Sequence, residues 1–216
     1  VETPQKKFAE IRNIIENFGL QIVATHSLFY TMKKYNIFSH DGFNKLLNYL
    51  IKISEIMEFL GTSKIIFGSG TCRNNELSKK ESDKVFKKFL KMFLKKTSKH
   101  KTQILIEPLA KNETNYINNC SEAIDIIKNI DTERVQLHID LKSSIQEKEN
   151  MKNVFNDFNT NIKHIHISDK DLRAPSKDSG YHENMSSILK ENRYSHYVSV
   201  EMKEMIPFSE EKFDQI

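Results

Sequence analysis

Cysteine and long apolar runs are scarce in this sequence, and each scarcity excludes a class of protein. Only two cysteines occur, Cys72 and Cys120, without paired spacing, which excludes a disulfide framework and a zinc knuckle. No apolar run approaches the roughly 18 residues of a membrane span, and no signal peptide is visible. We therefore expect a protein of a reducing, cytoplasmic compartment that has no membrane partner.

Net charge is also low, at +4, from 33 basic and 29 acidic residues. Lysine pairs recur along one segment with the spacing of a solvated helix face: Lys79 and Lys80, Lys87 and Lys88, Lys95 and Lys96. A nucleic-acid groove requires basic residues clustered on one surface. Because a solvated helix face explains these lysines better, we expect no nucleic-acid partner.

The 216 residues, with 38% hydrophobic and 29% charged side chains, suit a single globular domain over residues 1–216. Short strands and helices alternate along it. Strands are predicted at 20–25, 64–70, 103–108, 135–141, 162–168 and 197–202, and helices at 42–61, 83–97, 115–130, 145–158 and 183–191. This alternation predicts an α/β fold with a parallel sheet, either open and doubly wound or closed as a (β/α)8 barrel.

Polar residues on one face of several predicted strands favour the barrel. In the strand 135–141 the odd positions are aliphatic, whereas the even positions are Gln136, His138 and Asp140. In the strand 162–168 the residues His164 and His166 share one face. An open sheet covered by helices needs apolar side chains on both faces. A barrel accepts polar groups in its lumen near the carboxyl ends of its strands, so we predict a TIM barrel.

Four successive strands each place one ionisable residue at the carboxyl end of the inward face: Glu107, Asp140, His166 and Glu201. They lie about one βα unit apart, which predicts convergence at one depth on one rim. Any one of them alone is more often a structural hydrogen-bonding group. Three converging carboxylates, however, repel one another unless a cation lies among them. The set predicts one divalent metal ion, Mn²⁺, Mg²⁺ or Co²⁺, with Zn²⁺ also possible.

Short motifs in order along nearly the whole chain resemble the sugar phosphate isomerase/epimerase superfamily, the xylose-isomerase-like barrels that include ketose 3-epimerases. The motifs are "THSLFY" (25–30), "FGSGTCR" (67–73), "IEPLAKNETN" (106–115), "HIHISD" (164–169) and "VSVEM" (198–202). The resemblance implies a metal-dependent isomerase or epimerase of a sugar or sugar phosphate. Glu107 and Glu201 would be its catalytic carboxylates, transferring a proton through an enediolate that the metal stabilises. Asp140 and His166 would mainly be metal ligands.

The resemblance also implies four substrate-binding residues, three of which have a plainer alternative. These are His26, Arg73, Glu113 and Arg173. A structural hydrogen bond is the alternative for His26, a surface position for Arg73 and a solvated loop for Glu113. Family barrels are often oligomers, so a homo-oligomer is possible.

Two departures from the family pattern keep alternatives open. The family barrel has eight strands, and the six predicted here match its third to eighth, so we expect the first two strands and the end of the last helix to be missing. Ser143 stands where ketose 3-epimerases carry a histidine. The alternatives are a metal-dependent phosphoesterase similar to apurinic endonucleases and a barrel of the same superfamily that is non-catalytic or has another function.

Overall fold

The computed structural model describes residues 5–130, 132–176 and 180–203. One sheet contains the strands Lys64–Phe67 (β1), Gln103–Ile106 (β2), Val135–Asp140 (β3), Ile162–Ile167 (β4) and Val198–Val200 (β5). The strands are all parallel, and each pairs with the next one in the chain. A doubly wound sheet would reverse its strand order at a switch point. The uninterrupted order is that of part of a (β/α)8 barrel and confirms the predicted fold class.

Seven α-helices lie in the described part of the chain. They are Gln5–Asn17 (α1), His40–Leu60 (α2), Lys79–Lys96 (α3), Cys120–Ile130 (α4), Leu141–Gln146 (α5), Met151–Phe158 (α6) and Tyr181–Glu191 (α7). Short 3-10 helices add Tyr30–Met32, Gly70–Cys72, Asn159–Asn161 and Lys170–Leu172. The last helix, whose end we expect to be missing, would run in 204–216, outside the described residues.

The strand predicted at 20–25 is reduced to a single bridge. Thr25 pairs in parallel with Ile65. The Thr25 N–H donates to the carbonyl of Lys64 (2.9 Å), and the Ile66 N–H donates to the carbonyl of Thr25 (2.8 Å). The segment therefore lies at the edge of β1, as a preceding barrel strand would, but one residue pair does not build a ladder. The prediction of a full strand here was wrong.

Helix ends follow local capping groups. The Ser39 hydroxyl accepts the Gly42 N–H at the start of α2, and Gly61, at φ 74°, ends the helix in the left-handed conformation. Helix α3 begins four residues before the predicted start at position 83, because Ser78 and Glu81 form a reciprocal capping box.

Two other predicted helices are shorter than expected. The segment 145–158 is divided into α5 and α6, with Lys148 between them at φ 57°. Helix α4 begins at Cys120 rather than at position 115, after Ile117 at φ 63°. A positive φ at a residue with a side chain interrupts helical geometry. The spacing of apolar residues does not predict where such an interruption occurs.

Both faces of β3 are buried, but their chemistry differs. Its aliphatic residues, Val135, Leu137 and Ile139, join the main hydrophobic cluster together with residues of α4. Its alternate residues, Gln136, His138 and Asp140, are buried polar groups. The outer face therefore packs against helices, and the inner face forms a polar lumen, as the alternation predicted.

Candidate metal centre

Glu107, His166 and Glu201 converge at the carboxyl end of the sheet. Each offers one ligand atom, and these atoms all lie within 4.8 Å of one another. Glu107 follows β2 directly, His166 lies in β4, and Glu201 follows β5. Nδ1 of His166 is 3.2 Å from Oε2 of Glu201. The structure thus brings together three of the four residues predicted as metal ligands.

These side chains come from different levels of the sheet, not from one common depth as the spacing suggested. Asp140 pairs with His166. Glu107 is one layer lower, level with His138, and Glu201 is one residue beyond the last pair of β4 with β5. Barrel strands are tilted and staggered, so side chains from different levels meet in the lumen. Convergence therefore follows from strand tilt rather than equal depth.

Asp140 lies beside this group but is not part of the cluster. It caps α5, accepting the N–H of Lys142 (3.1 Å) and the Oγ–H of Ser143 (2.7 Å). Ser143 thus holds the Asp140 carboxylate. Nζ of Lys142 is 3.7 Å from Oδ2 of Asp140. The role of Asp140 as a metal ligand remains a prediction.

Glu107 is the most enclosed carboxylate of the cluster, with 7% of its surface exposed. Burial raises its pKa to about 7, which the nearby His166 partly opposes. The carboxylate occupies the space beside Gly68, where a Cβ atom would overlap Oε2 of Glu107. The absence of a side chain at position 68 therefore makes room for this carboxylate.

Glu201 has the opposite electrostatic environment. Hydrogen bonds with His166 and His26 hold its pKa well below the usual range, although burial opposes them. Nδ1 of the half-exposed His26 is 3.5 Å from Oε1 of Glu201, and its ring meets that of His166 edge-on at 5.4 Å. His26 therefore faces the cluster, and its contact with Glu201 raises its own pKa. A substrate contact of His26 remains a prediction.

Two histidines lie beneath the cluster. Nδ1 of His138 is 3.3 Å from Nδ1 of His164, and Nε2 of His164 is 2.9 Å from Oγ of Ser199. Burial lowers the pKa of His164 to about 3 and that of His138 well below its ordinary value, so both are neutral near pH 7. His138, His164 and His166 also have ligand atoms within 4.8 Å.

Hydrogen bonding favours a supporting role for these two histidines. Both nitrogens of His164 and Nδ1 of His138 have partners. Nε2 of His138 is 3.4 Å from Oε1 of Glu107 and makes no hydrogen bond within the described residues. A proton on this nitrogen would face the Glu107 carboxylate and orient it.

Arg73 is fully buried next to Glu107. Its side chain has 0% of its surface exposed, and Nη2 donates to the carbonyl oxygen of Glu107 (3.0 Å). Burial lowers its pKa to about 10. This burial contradicts the surface alternative for Arg73, and substrate binding by Arg73 stays a prediction. The residue supports the backbone that carries Glu107.

Glu113 and Arg173 flank the centre. Oε1 of Glu113 is 2.8 Å from Nζ of Lys142. Arg173 is exposed and lines a cavity that Lys142 also borders. Lys142 was not predicted as a site residue. Its position could have indicated it, because it follows Asp140 by two residues in the helical turn after a strand end. Substrate contacts of Glu113 and Arg173 remain predictions.

The cluster fits a divalent cation. For metal–ligand bonds of about 2.0–2.2 Å, neighbouring ligand atoms are about 3 Å apart and opposite ones about 4 Å. The ligand atoms of Glu107, His166 and Glu201, all within 4.8 Å of one another, lie close to this spacing. Two carboxylates and one imidazole suit several divalent metals, so the identity of the metal stays open.

No α-helix within the described ranges is both long enough and apolar enough to cross a membrane.

Comparisons with known proteins agree on the fold. A family model described as xylose isomerase-like TIM barrel matches residues 1–214. Among curated proteins, none matches the chain.

Three solved structures are similar to the chain. The 3-keto-D-glucoside 4-epimerase of E. coli has 18% identity and a TM-score of 0.79, over 97% of this chain and 82% of that one. D-Psicose 3-epimerase of Clostridium cellulolyticum H10, solved with D-tagatose, has 14% identity and a TM-score of 0.80, over 94% and 72%. An AP endonuclease, family 2, of Brucella melitensis has 17% identity and a TM-score of 0.73, over 90% and 77%. Identities this low show a shared fold.

Proposed function

Since the chain belongs to the xylose isomerase-like TIM barrel family, we propose that it is a metal-dependent isomerase or epimerase of a sugar or sugar phosphate. The observation that carries this proposal is the convergence of Glu107, His166 and Glu201 at the carboxyl end of the sheet. Active sites of TIM barrels lie at this end. Sugar epimerases are among the solved structures that share the fold, which supports the same assignment.

Glu107, His166 and Glu201 would hold the metal, with Asp140 as the proposed fourth ligand. A bound divalent cation would polarise a sugar carbonyl and make the neighbouring C–H more acidic. His26 and His138 would orient the two glutamates, through contacts of 3.5 Å with Glu201 and 3.4 Å with Glu107. Arg73 would fix the backbone at Glu107 through its carbonyl oxygen.

The two glutamates would perform the proton transfer. One carboxylate takes a proton from the substrate carbon, and the other, or the same one, returns it. Return to the opposite face of the same carbon gives an epimer. Return to the adjacent carbon, together with transfer of the hydroxyl proton to the former carbonyl oxygen, gives an aldose–ketose isomer. Glu107 and Glu201 come from non-adjacent strands, β2 and β5, so they approach a substrate in the lumen from different directions.

Deuterium exchange tests this proposal. The protein, loaded with Mn²⁺, is incubated in D₂O with a panel of ketoses and ketose phosphates, and mass spectrometry follows the isotope. We expect deuterium in at least one sugar and a fall in rate of about 100-fold or more in Glu201→Gln. Glu55→Gln, an exposed charge on α2, is the matched control and should exchange at the wild-type rate. Absence of exchange on every sugar would contradict the proposal.

Phosphoester cleavage is the second candidate, favoured by the likeness to the AP endonuclease. It calls for several zinc ions and a groove for a DNA backbone. The groups Glu107–His166–Glu201 and His138–His164–His166 share His166, which leaves few independent ligands for additional ions. Two or three zinc ions per chain, with cleavage of an abasic-site oligonucleotide, would replace the first proposal. Stoichiometric metal without turnover of either substrate class would indicate a binding protein.

A further inference from the structure

A cavity of about 620 Å³ lies beside the candidate metal centre, at the carboxyl ends of β3 and β4. Three of its lining residues are cationic, Lys142, Lys170 and Arg173, and one is anionic, Asp169. We infer that the substrate carries an anionic group, a phosphate or a carboxylate, which binds in this cavity while the sugar carbons reach the metal centre. This inference rests on the proposed function and names the substrate class for it.

The carboxylate in the cavity is already engaged. Oδ2 of Asp169 accepts the hydroxyl of Ser176, and Oδ1 is 2.6 Å from Nε2 of His182. None of the ion pairs between described residues involves Lys170 or Arg173. Among the described residues, therefore, no carboxylate neutralises the positive charge on these two side chains.

Ser168 provides a second, independent observation. It lines the cavity with 2% of its surface exposed, and its hydroxyl has no hydrogen-bond partner within the described residues. It follows His166 by two positions and so lies on the same inward face of the chain. Buried hydroxyls are nearly always hydrogen-bonded in native proteins. An oxygen atom of a bound anion would supply the hydrogen-bond partner that the Ser168 hydroxyl lacks.

The loop that carries Lys170 and Arg173 is tied to the barrel. The Asp169 N–H donates to the carbonyl of Arg173 (3.0 Å), and the Lys203 N–H donates to the carbonyl of Leu172 (2.8 Å). The first bond closes the turn within the loop, and the second holds the loop against the segment that follows β5. The two cations are therefore presented from a defined turn, which lowers the cost of ordering them around an anion.

Lys142 connects the cavity to the metal centre. Its side chain, 12% exposed, lines the cavity and lies 3.7 Å from Oδ2 of Asp140. A ligand bound near Lys142 is thus close to both regions. The cavity is in the size range of small-molecule sites, so it accommodates the charged end of a sugar derivative.

Binding of inorganic phosphate and of acetate, measured by calorimetry, tests the anion site. We expect phosphate to bind the wild-type protein about tenfold or more tightly than the double variant Lys170→Gln with Arg173→Gln. Lys190→Gln with Arg193→Gln, two exposed residues in and just beyond the last turn of α7, is the matched control and should bind like the wild type. His166→Ala should also retain phosphate binding. Equal binding in the cavity variant, or none in the wild type, overturns the inference.

Deuterium exchange distinguishes failure of the anion site from failure of the proposed function, and a phosphate from a carboxylate. Neutral ketoses, ketose phosphates and keto sugar acids are compared on the wild type and the cavity variant. A KM lower for ketose phosphates than for neutral ketoses identifies the anionic group of the substrate as a phosphate, and a lower KM for keto sugar acids identifies it as a carboxylate. In either case the difference in KM should disappear in the cavity variant. Equal KM values for neutral and charged sugars overturn the anion site and leave the proposed function standing. Phosphate binding without exchange on any sugar supports the anion site and contradicts the proposed function.

Discussion

At the residue scale, the missing side chain of Gly68 determines where the Glu107 carboxylate can lie. A Cβ at position 68 would meet Oε2 of Glu107, the far end of a flexible side chain, and the backbone of Gly68 needs no positive φ. We expect Gly68→Ala to fold normally but to displace the carboxylate. Metal affinity should fall about tenfold or more, as for other changes next to metal ligands, measured by Mn²⁺ titration.

Ser69→Ala, one residue away, is the control for that substitution and should leave Mn²⁺ affinity unchanged. Thermal unfolding of both variants should match the wild type within a few degrees. Full metal affinity in Gly68→Ala would mean that Glu107 does not bind the ion from the observed position.

Metal affinity should depend on pH through Glu107. Because burial raises the pKa of this carboxyl to about 7, it holds a proton below that pH, and a cation must displace the proton. Affinity should therefore rise as pH increases through about 7 and level off above it. Calorimetry at pH 6 and pH 8 in two buffers of different ionisation enthalpy would detect the proton released. An affinity independent of pH across this window would contradict a Glu107 that is protonated at pH 6 and binds the ion as a carboxylate.

The sequence identifies the ionisable side chains of the site better than their partners. Glu107, His166 and Glu201 were predictable because each ends the inward face of a strand. The burial of Arg73 was not, because it depends on the path of the chain after β2. The bond from Ser143 to Asp140 likewise forms only once α5 starts at the strand end.

At the element scale, the capping box of α3 makes a local prediction. The Ser78 hydroxyl accepts the Glu81 N–H, and the Glu81 carboxylate accepts the Ser78 N–H. Ser78→Ala should lower the free energy of unfolding by about 1 kcal/mol, measured by urea denaturation. Ser98→Ala, exposed beyond the end of α3, should change it little. A loss no larger than that of Ser98→Ala would show that the cap contributes nothing.

Helix starts with capping side chains are visible in a sequence, whereas breaks caused by backbone conformation are not. Ser78 and Glu81 carry the capping-box spacing, so the true start of α3 was readable although the prediction missed it. The break between α5 and α6 depends on the conformation of Lys148. Lysine has no preference for positive φ, so the residue type at position 148 does not predict the break between α5 and α6.

At the scale of the whole molecule, alternating strand faces were enough to predict the barrel. Aliphatic residues at odd positions of β3 and polar ones at even positions distinguish a lumen from a sheet covered on both faces. The strand predicted at 20–25 is only a bridge at Thr25, because ladder length depends on neighbouring strands. The levels at which the ligands meet depend on strand tilt, which composition does not encode.

The central claim is that Glu107, His166 and Glu201 form one cation site in this barrel. The most direct test is metal content by mass spectrometry after purification without chelators, on the wild type, Glu107→Gln, His166→Ala and the exposed control His196→Ala. We predict about one divalent ion per chain in the wild type and in His196→Ala, and loss of the ion in the other two variants. No stoichiometric metal in the wild type, or equal metal in all four proteins, would contradict the claim.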